Sequence, residues 1–414
     1  MQPLSAEHTT YRKGILGFSL YFALFYGAIG VLLPFLNLHF RSIGFSGIQI
    51  SSLLVGGLVV QILLATQVGY WFDRSPHKRL LLGSALLAST AVMAVLPILR
   101  QFFPILLLYV FTYTIGMISS ATAVNLSYHA GAHPDGGRNR FGKMRLWGSV
   151  GFSLMALLGG WLVEHRGIMA NDAIFVVLNL ALVAIIFLVL PTKSFQTEES
   201  NVPSTGFLQV LKLIFSNRYF WMTIVALAMT DTMNDGIRSF EAIFMKDLGV
   251  STATIGLVVT LTALGEIPFM YWGSSILEKL GTRRLVIGVI AFDLARRLII
   301  WIFPVPGIVM AGAILNAASF PMRLLVTIHL INLFIPKRFT TTANGFVSVA
   351  LYGLGYILSN AISGVIYDYV SARHNYLFAS ILAIVSLLMA LNAGSPRIGV
   401  DENAKIQVET DAIR

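Results

Sequence analysis

Gly69-Tyr70-Trp71-Phe72-Asp73-Arg74-Ser75-Pro76-His77-Lys78-Arg79 closes one long apolar run and opens the next. A second stretch of the same kind reads Ser275-Ile276-Leu277-Glu278-Lys279-Leu280-Gly281-Thr282-Arg283-Arg284. In each, an acid (Asp73 or Glu278) is followed by a cation (Arg74 or Lys279), and two basic residues end the loop. The acids lie 205 positions apart, 278 minus 73. Each loop follows the second apolar run of its half. A loop repeated once per half implies a duplicated chain that crosses a membrane many times. Such an architecture suits moving a solute better than transforming one.

The flanking sequence agrees. Of 414 residues, 56% are hydrophobic and 12% charged, against about a quarter charged in soluble domains. A span needs roughly 20 apolar residues. Runs of that length fall near 14–36, 48–70, 80–98, 102–126, 145–163 and 172–190, and again near 219–244, 253–274, 284–303, 306–334, 342–366 and 375–393. Lipid admits only helices or closed barrels, and the lack of period-two alternation excludes a barrel. The expected fold is therefore all-α and integral to the membrane, with twelve transmembrane helices in two six-helix bundles. Residues 1–190 form the first bundle, 191–218 a polar cytoplasmic loop, 219–394 the second bundle and 395–414 a cytoplasmic tail. The two bundles are expected to be parallel repeats.

A net charge of +10 would suit nucleic acid, but its distribution argues otherwise. With the N-terminus inside, the inner loops hold Arg74, Lys78, Arg79, Arg138, Lys143, Arg218, Arg283 and Arg338 among others, whereas the outer loops hold only Arg41, Arg100, Arg166, Lys246 and Arg373. That asymmetry is the positive-inside pattern, so both termini are expected in the cytoplasm and the chain in the cytoplasmic membrane, among lipids. There is no cysteine, which excludes disulfides and thiolate chemistry. His129 and His133 lack a carboxylate at ligand spacing, Gly136-Gly137 lacks the rest of a phosphate loop, and no nucleophile elbow occurs. No cofactor, metal or enzymatic activity is expected.

Charges inside spans are costly and rare, and here they crowd into the second half. The seventh run carries Asp231, Asp235 and Arg238, the eighth Glu266, the ninth Asp293, Arg296 and Arg297, and the tenth Arg323. Four acids balance four cations. Two readings stand side by side. Neutral pairs at helical spacing, Asp235 with Arg238 and Asp293 with Arg297, would be structural. Alternatively, carboxylates at mid-span would take up and release protons. Glu266 fits the second reading best, because no cation lies within a turn of it on its own helix. In the first half only Arg145 stands out among the charges. The aromatics of that half, including Tyr21, Tyr26, Tyr109, Tyr113, Trp147 and Phe152, offer surfaces on which a solute could stack, although interface belts and lipid-facing packing account for most of them.

The paired loops resemble the signature of the major facilitator superfamily. Phe141-Gly142-Lys143-Met144-Arg145-Leu146-Trp147-Gly148 with Phe152, Leu264-Gly265-Glu266-Ile267-Pro268, and Leu294-Ala295-Arg296-Arg297 resemble its phenylpropionate permease and lactose permease-like branch. The resemblance implies alternating access. It assigns substrate binding to Arg145, Phe152, Glu266 and Asn125, proton coupling to Glu266, Asp231, Asp235 and Arg296, and gating to Asp73, Arg74, Arg79, Glu278 and Arg284. Departures matter too. Asn125-Leu126-Ser127 stands where the branch has an acid opposite the fifth-span arginine, and Asn316 and Ser319 replace its tenth-span histidine and glutamate. Galactoside recognition is not implied. The expected activity is secondary transport, as a monomer, of a small organic solute (sugar, aromatic acid or nucleoside-like) together with protons. A uniporter or exporter, and a receptor or scaffold that no longer transports, are the alternatives.

Overall fold

The computed structural model describes residues 3–75, 77–130, 141–190, 215, 217–336 and 339–394. The polar linker at 191–214, the loop at 131–140 and the tail from 395 lie outside the described residues, as do the side chains of Asp73, Arg74 and Asn125. Among the described residues there are helices and no strands.

In the first half these are α1 (Pro3–Ser42), α2 (Gly47–Arg74), α3 (Lys78–Val95), α4 (Phe102–Ala130), α5 (Phe141–Arg166) and α6 (Ile168–Leu188). The second half holds α7 (Arg218–Asp247), α8 (Thr252–Leu280), α9 (Thr282–Ile302), α10 (Pro306–Phe334), α11 and α12 (His374–Asn392). α11 runs from Thr340–Phe346 through a π-helical turn, Val347–Gly353, into Leu354–Tyr369. Among the described residues, nine helices are long and apolar enough to cross a membrane. The helices outside that set are α4, whose apolar described stretch is shorter, and α7 and α9, which carry the interior charges.

The chain forms two compact units, Met1–Asn201 with Phe240–Leu264, and Val202–Ser239 with Gly265–Arg414. The boundary cuts α7 after Ser239 and α8 after Leu264. In the first unit α1 packs on α5 and α6, and α3 on α4 and α6. Its core is aromatic: Phe18, Tyr21, Phe22 and Phe25 of α1 meet Leu82, Leu86, Met144 and Ile186. In the second unit α9 packs on α10 and α12. Its core is aliphatic, with Leu227, Val286, Ile290, Val326 and Leu330 at its centre.

The duplication is visible bond by bond. α1 ends at Gly44 and α7 at Gly249, with φ of +96° and +85°, the left-handed geometry that favours glycine at a helix end. Phe45 N–H donates to Phe40 O at 3.0 Å, and Val250 N–H to Met245 O at 3.0 Å. The next helix then starts on a serine cap. Ser46 Oγ accepts from Gln49 N–H at 3.2 Å, and Ser251 Oγ from Thr254 N–H at 3.1 Å. All these partners are 205 apart. From α3 onward the spacing is 204. Asn171 Nδ2 donates to Gly159 O at 3.1 Å and Asn375 Nδ2 to Ser363 O at 3.4 Å. Arg79 donates to Phe187 O at the end of α6, and Arg283 to Leu391 O at the end of α12, at 3.2 Å.

Candidate substrate and coupling site

Three helices of the second unit, α7, α10 and α11, enclose a cavity of about 270 Å³. Asp231, Asn234, Asp235 and Arg238 of α7 form one wall, a helical face at spacings of three and four. Asn316, Phe320, Arg323 and Thr327 come from α10. The π-helical part of α11 adds Val347, Ser348 and Tyr352. Tyr352 Oη lies 3.1 Å from Thr327 Oγ1. Carboxylates, amides, hydroxyls and guanidinium groups thus converge on one small space, with Phe320 as an apolar surface. That set can bond a polar solute from several sides.

Behind the cavity sits a charge network. Asp293, fully buried on α9, is its centre. Arg323 bonds to Asp293 and, through Nη2 at 2.7 Å and Nε at 3.0 Å, to Asp231. Arg297 lies 4.0 Å from Asp293 and donates to Thr230 O at 2.8 Å and Ala379 O at 3.2 Å, so it ties α9 to α7 and α12. Arg296 donates to Gly312 O and Asn234 Oδ1, both at 3.1 Å, and to Asn316 Oδ1 at 3.2 Å, with Asp293 at 3.5 Å. Buried charges persist only when paired and hydrogen-bonded, and each arginine here meets that condition. Asp235 differs: it lines the cavity with Arg238 and Arg323 as the cations that act on it, without a salt bridge within 4.0 Å among the described residues. Glu266 is half-buried on α8, outside the cavity lining, and Arg238 is the cation that acts on it. Two residues on, Pro268 cannot donate to the Leu264 carbonyl, so α8 lacks one backbone bond beside Glu266.

In the first unit Arg145 lies over the Tyr26 ring, 4.0 Å from its centre, and 5.9 Å from that of Phe22. Gly148 makes this stack possible, since a Cβ there would come within 2.7 Å of Tyr26 and 2.8 Å of the Arg145 guanidinium. Phe152, two turns further along α5, is partly exposed, and its backbone packs on Gly30.

The model of the MFS_1 like family matches residues 16–378. The chain belongs to that family. It is a multi-pass major facilitator transporter of small-molecule solutes, not an enzyme. The chain is 25% identical to the maltose permease of Geobacillus stearothermophilus over 379 residues, 90% of this chain and 93% of that one. It is 26% identical to a probable 3-phenylpropionic acid transporter of Escherichia coli (strain K12) over 150 residues, 36% and 38% of the two chains. The crystal structure of the nucleoside transporter NupG superposes with a TM-score of 0.75 at 15% identity, covering 93% of this chain and 98% of that one. That last likeness speaks for the fold alone.

In this transporter the paired loops behave unevenly. The Arg79 guanidinium grips the end of α6, with Nε on Ile186 O at 2.6 Å, Nη2 on Leu190 O at 3.3 Å and a further bond to Phe187 O. Its counterpart by contact is Arg283, not Arg284. Glu278 and Arg284 are exposed. The candidate residues therefore form separate groups. Asp231, Asp235 and the Arg296 network gather around the cavity, Glu266 stands apart on α8, and Arg145 and Phe152 belong to the first unit. Sequence reasoning passed over Arg323 and Asp293 as site residues. Their trace there was the balance of four acids against four cations and, for Asp293, the structural pair with Arg297.

Proposed function

We propose that this transporter is a proton-coupled symporter of a small polar organic solute, of the sugar or nucleoside-like class. It would work as a monomer in the cytoplasmic membrane with both termini inside, its two bundles divided at the 191–218 loop. The observation that carries the reading is the α7–α10–α11 cavity, where Asp231, salt-bridged to Arg323, and Asp235 line one space with three amides and three hydroxyls. Several donors and acceptors around a small space suit a polyhydroxylated ligand. Arg145 and Phe152, with Asn125, would bind the solute from the first half. Asp235 and Glu266 would take up the proton, and Asp231 and Arg296 would report its presence to the network. Asp73, Arg74, Arg79, Glu278 and Arg284 would contribute to closing the cytoplasmic side. The maltose permease relative and the positive-inside loops support the solute class and the orientation.

The test is uptake of maltose, uridine and 3-phenylpropionate into proteoliposomes under an imposed pH gradient. Accumulation of maltose or uridine above equilibrium is expected, and accumulation of 3-phenylpropionate alone would overturn the solute class. Glu266→Gln should abolish accumulation and spare solute exchange. Equilibration without accumulation in the parent protein would make it a uniporter, and full active uptake by Glu266→Gln would remove Glu266 from coupling.

A further inference from the structure

The first unit contains a contact that neither the family signature nor the cavity uses. The final turn of α5 lies against the first turns of α8. A Cβ on Gly160 would come within 2.7 Å of Thr252 O and 2.8 Å of Gly256 Cα, and one on Gly256 within 2.7 Å of Ala156 O. Only glycine on both helices allows this approach. One turn deeper, Thr260 Oγ1 donates to Ser153 O at 2.9 Å. At the open end, the Glu164 carboxylate accepts the Thr252 N–H at 2.6 Å. Lys246 Nζ stands 3.8 Å from the same carboxylate and donates to Thr252 Oγ1 at 3.2 Å.

The first amides of a helix have no partner within it and need an acceptor from elsewhere. Ser251 meets the need of Thr254 N–H, but Thr252, which is buried, depends on a carboxylate carried by another helix. Glu164 keeps a third of its side-chain surface exposed and Lys246 about half, 33% and 49%. Their Coulomb attraction is therefore screened and weak, while the cap itself is a charge-assisted bond to a backbone amide that favours an anion at a helix start. The bond is strong enough to hold the seam and accessible enough to release.

We propose that Glu164 is a positioning residue for the transport cycle: a detachable cap, borrowed from α5, that holds the start of α8 down and keeps the α5–α8 seam shut. The proposal rests on membership of the transporter family and not on proton coupling. Releasing the cap leaves Thr252 N–H to water, which is tolerable only if the seam parts. Glu266 is carried by the same α8, fourteen residues further on, so the cap sets the state of the helix that bears the coupling candidate.

Because the chain has no cysteine, Thr260→Cys supplies a single thiol inside the seam. In nanodiscs, a polar maleimide should label it slowly. Glu164→Ala should raise the rate about tenfold, the scale of a lost N-terminal cap. Glu164→Gln, whose amide oxygen still accepts from Thr252, should restore slow labelling, and Lys246→Met should change it about twofold at most. A thiol at exposed Arg166 should react alike in every variant. If Thr260→Cys itself loosens the seam, Ser153→Cys reads the same interface from α5. Rapid labelling with Glu164 intact, or no change on Glu164→Ala, overturns the proposal. Failure of Glu164→Gln to restore the slow rate refutes the cap and leaves a charge pair. No solute enters the measurement, so a failed symport reading would leave this result standing.

Discussion

The two units share a scaffold and differ in what they enclose. Asn171 and Asn375 hold equivalent carbonyls, Arg79 and Arg283 grip equivalent helix ends, and Gly44 and Gly249 end equivalent helices. Inside, the first unit packs aromatic rings, with Arg145 lying on one of them. The second holds three arginines and two aspartates in one connected network. The retained bonds each join one side chain to a backbone carbonyl, or rest on a turn glycine, so each needs a single residue to be kept. The interiors differ in side-chain chemistry. A duplicated frame thus leaves each half free to take a separate task.

The comparison breaks most severely if the network is opened. Arg323→Ala strands Asp231 and leaves Asp293 only its longer contacts with Arg296 and Arg297, and should cost about 3–5 kcal/mol in the second unit. Arg145→Ala, by contrast, removes a cation that rests on a ring, worth about 0.5–2 kcal/mol. Thermal unfolding of the purified variants measures both, and similar losses would mean that the halves are not different in kind. The helix crossings offer a finer contrast. Gly151→Ala drives a Cβ into the backbone carbonyl of Ala23, whereas Gly273→Ala meets the flexible side-chain ends of Met322 and Leu325. Overpacking costs of about 1–3 kcal/mol should therefore fall on Gly151→Ala, with Gly273→Ala well below it on the same assay. Smallest is the contrast at the capped helix ends. Arg79→Gln loses three carbonyl contacts and Arg283→Gln one described contact. Hydrogen–deuterium exchange at the ends of α6 and α12 should rise more for the first, within the roughly 0.3–1 kcal/mol of a cation at a helix C-terminus. An equal rise would mean that the two caps have not diverged.

Much of this was legible in the sequence, because membranes impose length and charge rules on one helix at a time. The repeated loop, the apolar runs and the crowding of charge into the second half are all properties of single segments. The Asp293–Arg297 pair at a spacing of four belongs to the same category and lies 4.0 Å apart in the structure. The Asp235–Arg238 pair, equally reasonable by spacing, is looser: both side chains line the cavity and Arg238 acts on Asp235 without a salt bridge within 4.0 Å among the described residues. What escaped is what depends on the register between helices. Arg323 reaches residues 92 and 30 positions away, and Glu164 reaches one 88 positions away. No periodicity along one helix encodes those distances. Tyr26 was read as a surface for solute, but Arg145 covers it, a choice set by the packing of α1 on α5.

The change from a spacing of 205 to one of 204 has a practical meaning. It arises within the loops, where six positions separate Asp73 from Arg79 but five separate Glu278 from Arg283. Anyone building a hybrid that trades α3 for α9 must place both junctions on the same side of that slip. A cut across it would turn the incoming helix by about 100°, pointing its gripping arginine away from the neighbour it should hold. The same slip pairs Arg284 with Leu80, so the last cation of the second loop has no counterpart in the first.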